Sequence, residues 1–168
     1  MTKTAVILDG YVDEPACLGV PPYIAPYIRT VAGVLHEAGY FPRYLTIDQL
    51  RCDPARINGL NAADCVVMIA GVTVPGKYLG GTPATLTEIR QVGSAVRSGT
   101  KLIGGPIAFG WSPEGGRAAV KQAIGGFDAM LTGSVAEALD EYLRGNEPAG
   151  ILDYSRSDPW SVAGSRII

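Results

Sequence analysis

The sequence predicts an α/β chain: a doubly wound, five-stranded parallel sheet with helices on both faces, three layers in all. Three observations predict it. Four short, largely apolar runs, Ala5-Val6-Ile7-Leu8, Cys65-Val66-Val67-Met68-Ile69-Ala70, Lys101-Leu102-Ile103 and Phe127-Asp128-Ala129-Met130-Leu131, lack polar alternation, as strands buried on both faces do. Each run soon meets a glycine, Gly10, Gly71, Gly104 or Gly133, and then gives way to loop-like sequence. The stretches between carry apolar residues at helical spacing.

Taken in order, residues 4–9 form the first strand. Ile24, Ile28, Val31 and Leu35 then recur at helical spacing, with Gly39 as the stop. Phe41 to Ile47 is a second, more polar strand suited to a sheet edge. Asp53-Pro54 sets an N-cap before a proline at the first helical position and predicts a short helix to about Leu60. Residues 64–70 are the third strand. Thr85-Leu86-Thr87-Glu88 has capping-box spacing, and Leu86, Ile89, Gly93 and Val96 give its helix one inward face. Lys101 to Gly104 is the fourth strand, Ser112-Pro113-Glu114 starts another helix, and residues 127–132 are the fifth strand. Ser134-Val135-Ala136-Glu137 repeats the capping-box spacing, and Val135, Ala138, Leu139 and Tyr142 line the last helix. Right-handed crossovers fold this (βα)5 series into the flavodoxin-like, Rossmann-like order 2-1-3-4-5, with Asp9, Gly71, Gly104 and Gly133 on one rim.

A chain of 168 residues, 47% apolar and 18% charged, fits one domain with a well-supplied core. Residues 1–150 carry the βα series, and 151–168, polar and without clear periodicity, read as a linker toward a further domain. A net charge of −2 without a basic run gives no footprint for nucleic acid. No apolar run approaches the ~20 residues that span a bilayer. Met1-Thr2-Lys3-Thr4 leads straight into a strand, unlike a signal peptide. Cys17, Cys52 and Cys65 are odd in number, widely spaced and without metal-ligand spacing, which fits a reducing cytoplasm.

In open α/β sheets ligands bind outside the carboxyl ends of the strands, so the loops there are the place to look for function. The loop from Gly10 to Pro22 holds Tyr11, Asp13 and Glu14, and exceeds the usual 2–6 residues of a βα connection. The loop from Gly71 to Thr85 offers Thr73, Pro75-Gly76, Lys77, Tyr78 and Gly80-Gly81. Its hydroxyls, cation and backbone amides suit phosphate or amide oxygens; a solvated lysine and a packed tyrosine are the plainer alternative. Gly105-Pro106 opens a third loop with Phe109 and Trp111, either a flat platform for a ring system or a lid over the core.

Several chemistries lose support. No GxGxxG follows the first strand, and no GxxxxGK[ST], CxxC or GxSxG occurs. His36, the only histidine, falls in the first helix, far from the rim. Asp9, Asp13 and Glu14 have no partner base and read as loop capping. The chain by itself reads as a binding domain, not a catalyst.

The segments Ile7-Leu8-Asp9-Gly10-Tyr11-Val12-Asp13-Glu14-Pro15-Ala16-Cys17-Leu18-Gly19-Val20-Pro21-Pro22-Tyr23, Ile69 to Pro83 and Ile103-Gly104-Gly105-Pro106 resemble the N-terminal cobalamin-binding-type domain of archaeal radical S-adenosylmethionine proteins. The resemblance extends over essentially the whole chain. It implies a corrinoid across the strand ends, with its nucleotide tail in the crevice. The implied contacts are Asp9, Gly10, Tyr11, Gly71, Val72, Thr73, Gly76, Lys77, Gly104, Gly105, Pro106 and Gly133. It implies further that a 4Fe–4S cluster and S-adenosylmethionine belong to a downstream domain, since no CxxxCxxC is present here. Two departures stand out. The DxHxxG motif whose histidine ligates cobalt in methionine-synthase-like domains is here Asp9-Gly10-Tyr11-Val12-Asp13, and the Gly-Glu-Gly-Glu of relatives is Thr132-Gly133-Ser134-Val135-Ala136-Glu137. Two other readings stand beside this one: a stand-alone flavodoxin-like nucleotide or flavin binder, and a ligand-free interaction module.

Overall fold

The structure, a computed structural model, describes residues 2–10, 26–72, 82–97, 99–112 and 114–168. Strands β1 (Lys3–Asp9), β2 (Tyr40–Thr46), β3 (Cys65–Ile69), β4 (Thr100–Gly104) and β5 (Ala129–Met130) form one sheet in the order β2-β1-β3-β4-β5. Every pairing is parallel. The expected flavodoxin-like, Rossmann-like architecture is therefore present. Asp9 is level with both Thr46 and Ile69, and Ile69 with Gly104, so the carboxyl ends of the central strands finish together.

Around the sheet run α1 (Pro26–Glu37), α2 (Ile47–Cys52), α3 (Ile57–Asn61), α4 (Leu86–Ala95), α5 (Arg117–Ala123), α6 (Val135–Leu143) and α7 (Tyr154–Gly164). β1 shows why its sequence does not alternate. Ala5 and Ile7 enter one core with Ile28, Leu35 and Leu139, while Val6 and Leu8 enter another with Leu60, Ile89 and Val120. Helices α1, α6 and α7 cover the first face and α2 to α5 the second. Both faces are dry, so truncating a residue such as Leu8 to alanine should cost about 2–5 kcal/mol.

Local chemistry fixes the helix starts. Thr85 and Glu88 form the expected capping box on α4. Thr46 and Gln49 form another on α2, a helix that replaces the expected end of the second strand. Asp53 caps a single 3-10 turn, Pro54–Arg56, which leads into α3. Pro42 lies on β2, at the sheet edge, where a missing N–H is tolerated.

Three segments differ from expectation. Ser112 starts no helix: its hydroxyl closes a tight turn with Gly115, and α5 begins only at Arg117. The fifth strand divides at Leu131. Its N–H still reaches the Ile103 carbonyl, but β6 (Thr132–Gly133) pairs with β7 (Ala149–Gly150) as a separate two-stranded ribbon. Ser134 and Glu137 do not make a capping box. Glu137 is 1% exposed; one carboxylate oxygen accepts from the Ser134 hydroxyl and the other from the Asp153 N–H at 3.0 Å.

Within the segment read as a linker, Tyr154–Gly164 is helical and packed. α7 lies directly on α1, with Gly33 against the Trp160 backbone and Gly164 against the Arg29 carbonyl. Those pairs run in opposite sequence directions, so the two helices are antiparallel. Trp160 is 5% exposed, and its indole N–H donates to Glu37 at 2.5 Å. The Arg156 guanidinium lies over the same ring, 5.1 Å from its centre.

Candidate ligand-binding site

The sheet order reverses direction between β1 and β3, the usual seat of a crevice in such folds. Asp9 ends β1 there and is 3% exposed. The Tyr44 hydroxyl donates to its carboxylate at 2.8 Å. Gly10 joins the two strand ends, donating to the Ile69 carbonyl at 2.8 Å and accepting from the Ala84 N–H at 2.7 Å. Residues of three chain segments are thus tied together under the crevice.

The structure brings Asp9, Gly10, Gly71, Val72, Gly104, Gly105 and Pro106 to this rim, as expected. Gly133 lies at its margin, in the β6–β7 ribbon. Tyr11, Thr73, Gly76 and Lys77 lie outside the described residues.

The rim glycines answer to the protein's own packing. Gly105 has φ +95° and ψ −161°, a region that is essentially glycine-only. A Cβ there would also stand 2.8 Å from the Ala70 carbonyl oxygen. Gly71, at φ +108°, lies against the Pro106–Ile107 backbone and the Trp111 carbonyl. A Cβ on Gly104 would meet Leu131 and Val135, not open space. Gly71 and Gly105 are required by close backbone packing between β3, β4 and the loop after β4, and Gly104 by the Leu131 and Val135 side chains.

α4 begins just beyond the loop after β3, yet its amino end is already satisfied. Thr85 and Glu88 cap it, and the Glu114 carboxylate accepts from the Leu86 N–H at 2.8 Å. Two carboxylates at a helix amino end leave little attraction for a phosphate.

Arg51, which sequence reasoning missed, fastens this corner. Its guanidinium donates to both oxygens of Glu88, to Asp48, and to the carbonyls of Thr82 and Pro83 at 2.7–3.2 Å. The Arg51 hydrogen bonds hold the Glu88 carboxyl at about 2, below its ordinary 4.5. A groove of about 340 Å³ lined by Ile47, Leu50, Pro54, Ile57 and Val92 runs beside this pair, between α2, α3 and α4.

Beyond Pro106 the chain makes one 3-10 turn, Pro106–Phe109, and a left-handed Gly110. Phe109 and Trp111 stand there, 48% and 50% exposed, with ring centres 5.2 Å apart and planes inclined at 37°. Of the two sequence readings, platform or lid over the core, half-exposed rings match the platform. His36 is exposed in the last turn of α1, about ten residues and so roughly 15 Å along the helix from its rim end. Among the described residues no group of three or more His, Cys, Asp or Glu could hold a metal ion. No helix among them is long and apolar enough to cross a membrane.

Comparison with known proteins places this geometry in context. No family model matches the chain. A protein of Archaeoglobus fulgidus is 52% identical over 105 residues, 62% of this chain and 19% of that protein. One of Methanocaldococcus jannaschii is 40% identical over 147 residues, 86% of this chain and 27% of that protein. The chain therefore spans about a fifth to a quarter of the length of these relatives, both described only as uncharacterized proteins. Among solved structures, the radical S-adenosylmethionine methyltransferase TsrM from Kitasatospora setae matches with a TM-score of 0.57 and 15% identity, over 86% of this chain and 26% of that one. At that identity the likeness is one of fold: this chain shares the architecture of part of a radical S-adenosylmethionine methyltransferase and has long archaeal relatives.

Proposed function

We propose that this chain is a cobalamin-binding-like domain serving a longer radical S-adenosylmethionine enzyme, a methyltransferase or an oxidoreductase. It holds a corrinoid, or docks the substrate, across the carboxyl ends of β1, β3 and β4. The observation that carries the reading is the agreement of two independent likenesses. The sequence segments at Ile7–Tyr23, Ile69–Pro83 and Ile103–Pro106 resemble such domains, and the fold matches part of a radical S-adenosylmethionine methyltransferase over 86% of the chain.

The described residues fit a corrinoid in kind. Its base is a flat heteroaromatic ring and its macrocycle a flat ring fringed by amides, and the rim offers exposed aromatic faces with buried Val72 and Pro106 beside them. Bound, the group supplies a cobalt centre able to carry a methyl group. The cobalt would take no imidazole from this chain, because His36 stands at the far end of α1. The 4Fe–4S cluster and S-adenosylmethionine belong, on this reading, to the downstream domain, and the whole works in the cytoplasm without membrane or nucleic acid. α7, antiparallel to α1, carries the chain back to the rim edge of the sheet. The carboxylates at the start of α4 disfavour any phosphate at that helix end, so a corrinoid's tail phosphodiester or a flavin phosphate would have to lie elsewhere on the rim.

Titration with hydroxocobalamin and, separately, with FMN tests the reading by visible absorbance and equilibrium dialysis. Saturable binding of hydroxocobalamin is expected, with a spectrum unchanged by His36→Ala. Binding of FMN alone would replace it with the flavodoxin-like reading; binding of neither would leave an interaction module.

A further inference from the structure

We infer that Phe109 and Trp111 form a seat for one flat heteroaromatic ring of a small molecule lying in the crevice; in the corrinoid reading, on which this rests, that ring is the benzimidazole base. Position is the first argument. Trp111 lies beside Gly71, its N–H donates to the Pro106 carbonyl at 3.4 Å, and the Ile107 N–H donates to Ala70 at 3.0 Å. The pair is thereby joined to the ends of β3 and β4, where ligands of this architecture bind.

Rigidity is the second. The turn that presents the rings is tied at three described points: Gly110 adopts φ +83° against the Arg117 side chain, Ser112 closes its turn with Gly115, and Glu114 is bonded to the start of α4. The exposure of the two rings is built in, and a preformed seat spares a ligand the cost of ordering it.

Area and geometry select the occupant. Two aromatic side chains of about 150–250 Å² each, half exposed, present roughly 200 Å². That is about the face of one fused ring system, whereas a protein partner would have to cover about 800 Å² of surface around the pair as well. The pair suits a single fused ring. An inclination of 37° at 5.2 Å keeps the two rings from stacking face to face, so a guest can lie on one and meet the edge of the other.

Two tryptophans make the test direct, because Trp160 is buried and Trp111 is half exposed. Hydroxocobalamin and dicyanocobinamide, which lacks the base, are titrated against the parent chain, Trp111→Leu and Phe109→Leu, with thermal melts to confirm folding. The parent is expected to prefer hydroxocobalamin, and Trp111→Leu to lose about tenfold or more of that preference, as for other stacked bases, with cobinamide affinity unchanged. Equal loss for both corrinoids, or for neither, overturns the seat. If neither corrinoid binds the parent, the corrinoid reading fails, and benzimidazole riboside and FMN then test the seat alone. Shielding of Trp111 fluorescence from acrylamide by either ring supports it; no shielding overturns it. Shielding that instead follows protein concentration, with dimers in sedimentation, assigns the rings to a second copy and overturns it as well.

Discussion

Tyr44 and Asp9 join neighbouring strands through a 2.8 Å hydrogen bond from the phenol hydroxyl to a carboxylate that is 3% exposed. Asp9 ends β1 at the crevice, and Tyr44 reaches it from β2, the edge strand. Removing the hydroxyl by Tyr44→Phe leaves a buried carboxylate with one partner fewer, which should cost about 1–3 kcal/mol. Urea denaturation checks this: a midpoint equal to that of the parent would mean that the bond contributes nothing.

Acid sensitivity follows from Glu88. Its carboxyl falls from 4.5 to about 2 in the folded chain, chiefly through the Arg51 hydrogen bonds. A depressed carboxyl stabilises the fold above its unfolded value, and that contribution is lost as pH falls through the folded value. The loss therefore develops between about 4.5 and about 2. Glu88→Gln should lower the melting temperature at neutral pH and flatten its fall through that window. Parallel pH profiles for parent and variant would remove Glu88 from the account.

Gly33→Ala offers a test in which two effects oppose each other. Alanine in a helix interior is favoured over glycine by about 1 kcal/mol. Here, however, the new methyl would run into the Trp160 carbonyl of α7. Steric exclusion between packed backbones should win, so the variant melts below the parent and exposes Trp160 to acrylamide. A stabilised variant would show that α7 does not lie on α1 as described.

Gly105→Val should cost stability before it costs ligand binding. Its φ of +95° and the Ala70 oxygen 2.8 Å from the position of a Cβ forbid a branched side chain without backbone movement. A loss of roughly 1–3 kcal/mol or more is expected in chemical denaturation. Parent-like stability with lost ligand binding would mean that Gly105 matters more to a ligand than to the packing.

The sheet was legible because burial on both faces writes itself locally, as in Val66-Val67-Met68. So was the Thr85 cap. Thr46-Ile47-Asp48-Gln49 carries the same spacing and was readable, though Phe41 to Ile47 read as one continuous strand. Ser134 and Glu137 have that spacing without the box, because the Ser134 N–H donates to the Gly150 carbonyl and the Glu137 carboxylate is shared by the Ser134 hydroxyl and the Asp153 N–H, sixteen residues on. α7 left little signal: Pro159 interrupts it, and its seat on α1 depends on Gly33 and Gly164, not on an apolar stripe. Arg51 was invisible for a related reason. Its partners Thr82, Pro83 and Glu88 lie more than thirty positions away and meet it only in the fold.

The antiparallel return of α7 also separates the two ends of the chain. Lys3 opens β1 at the amino edge of the sheet, beside Tyr40, whereas Gly164 has come back to Arg29, one turn from the rim end of α1. Measured along the strand direction, the two lie about 23 Å apart, the rise of a seven-residue strand. A surface tether at Lys3 therefore stays clear of the crevice, while a fluorophore on α7 near Gly164 stands beside it and reports on what enters.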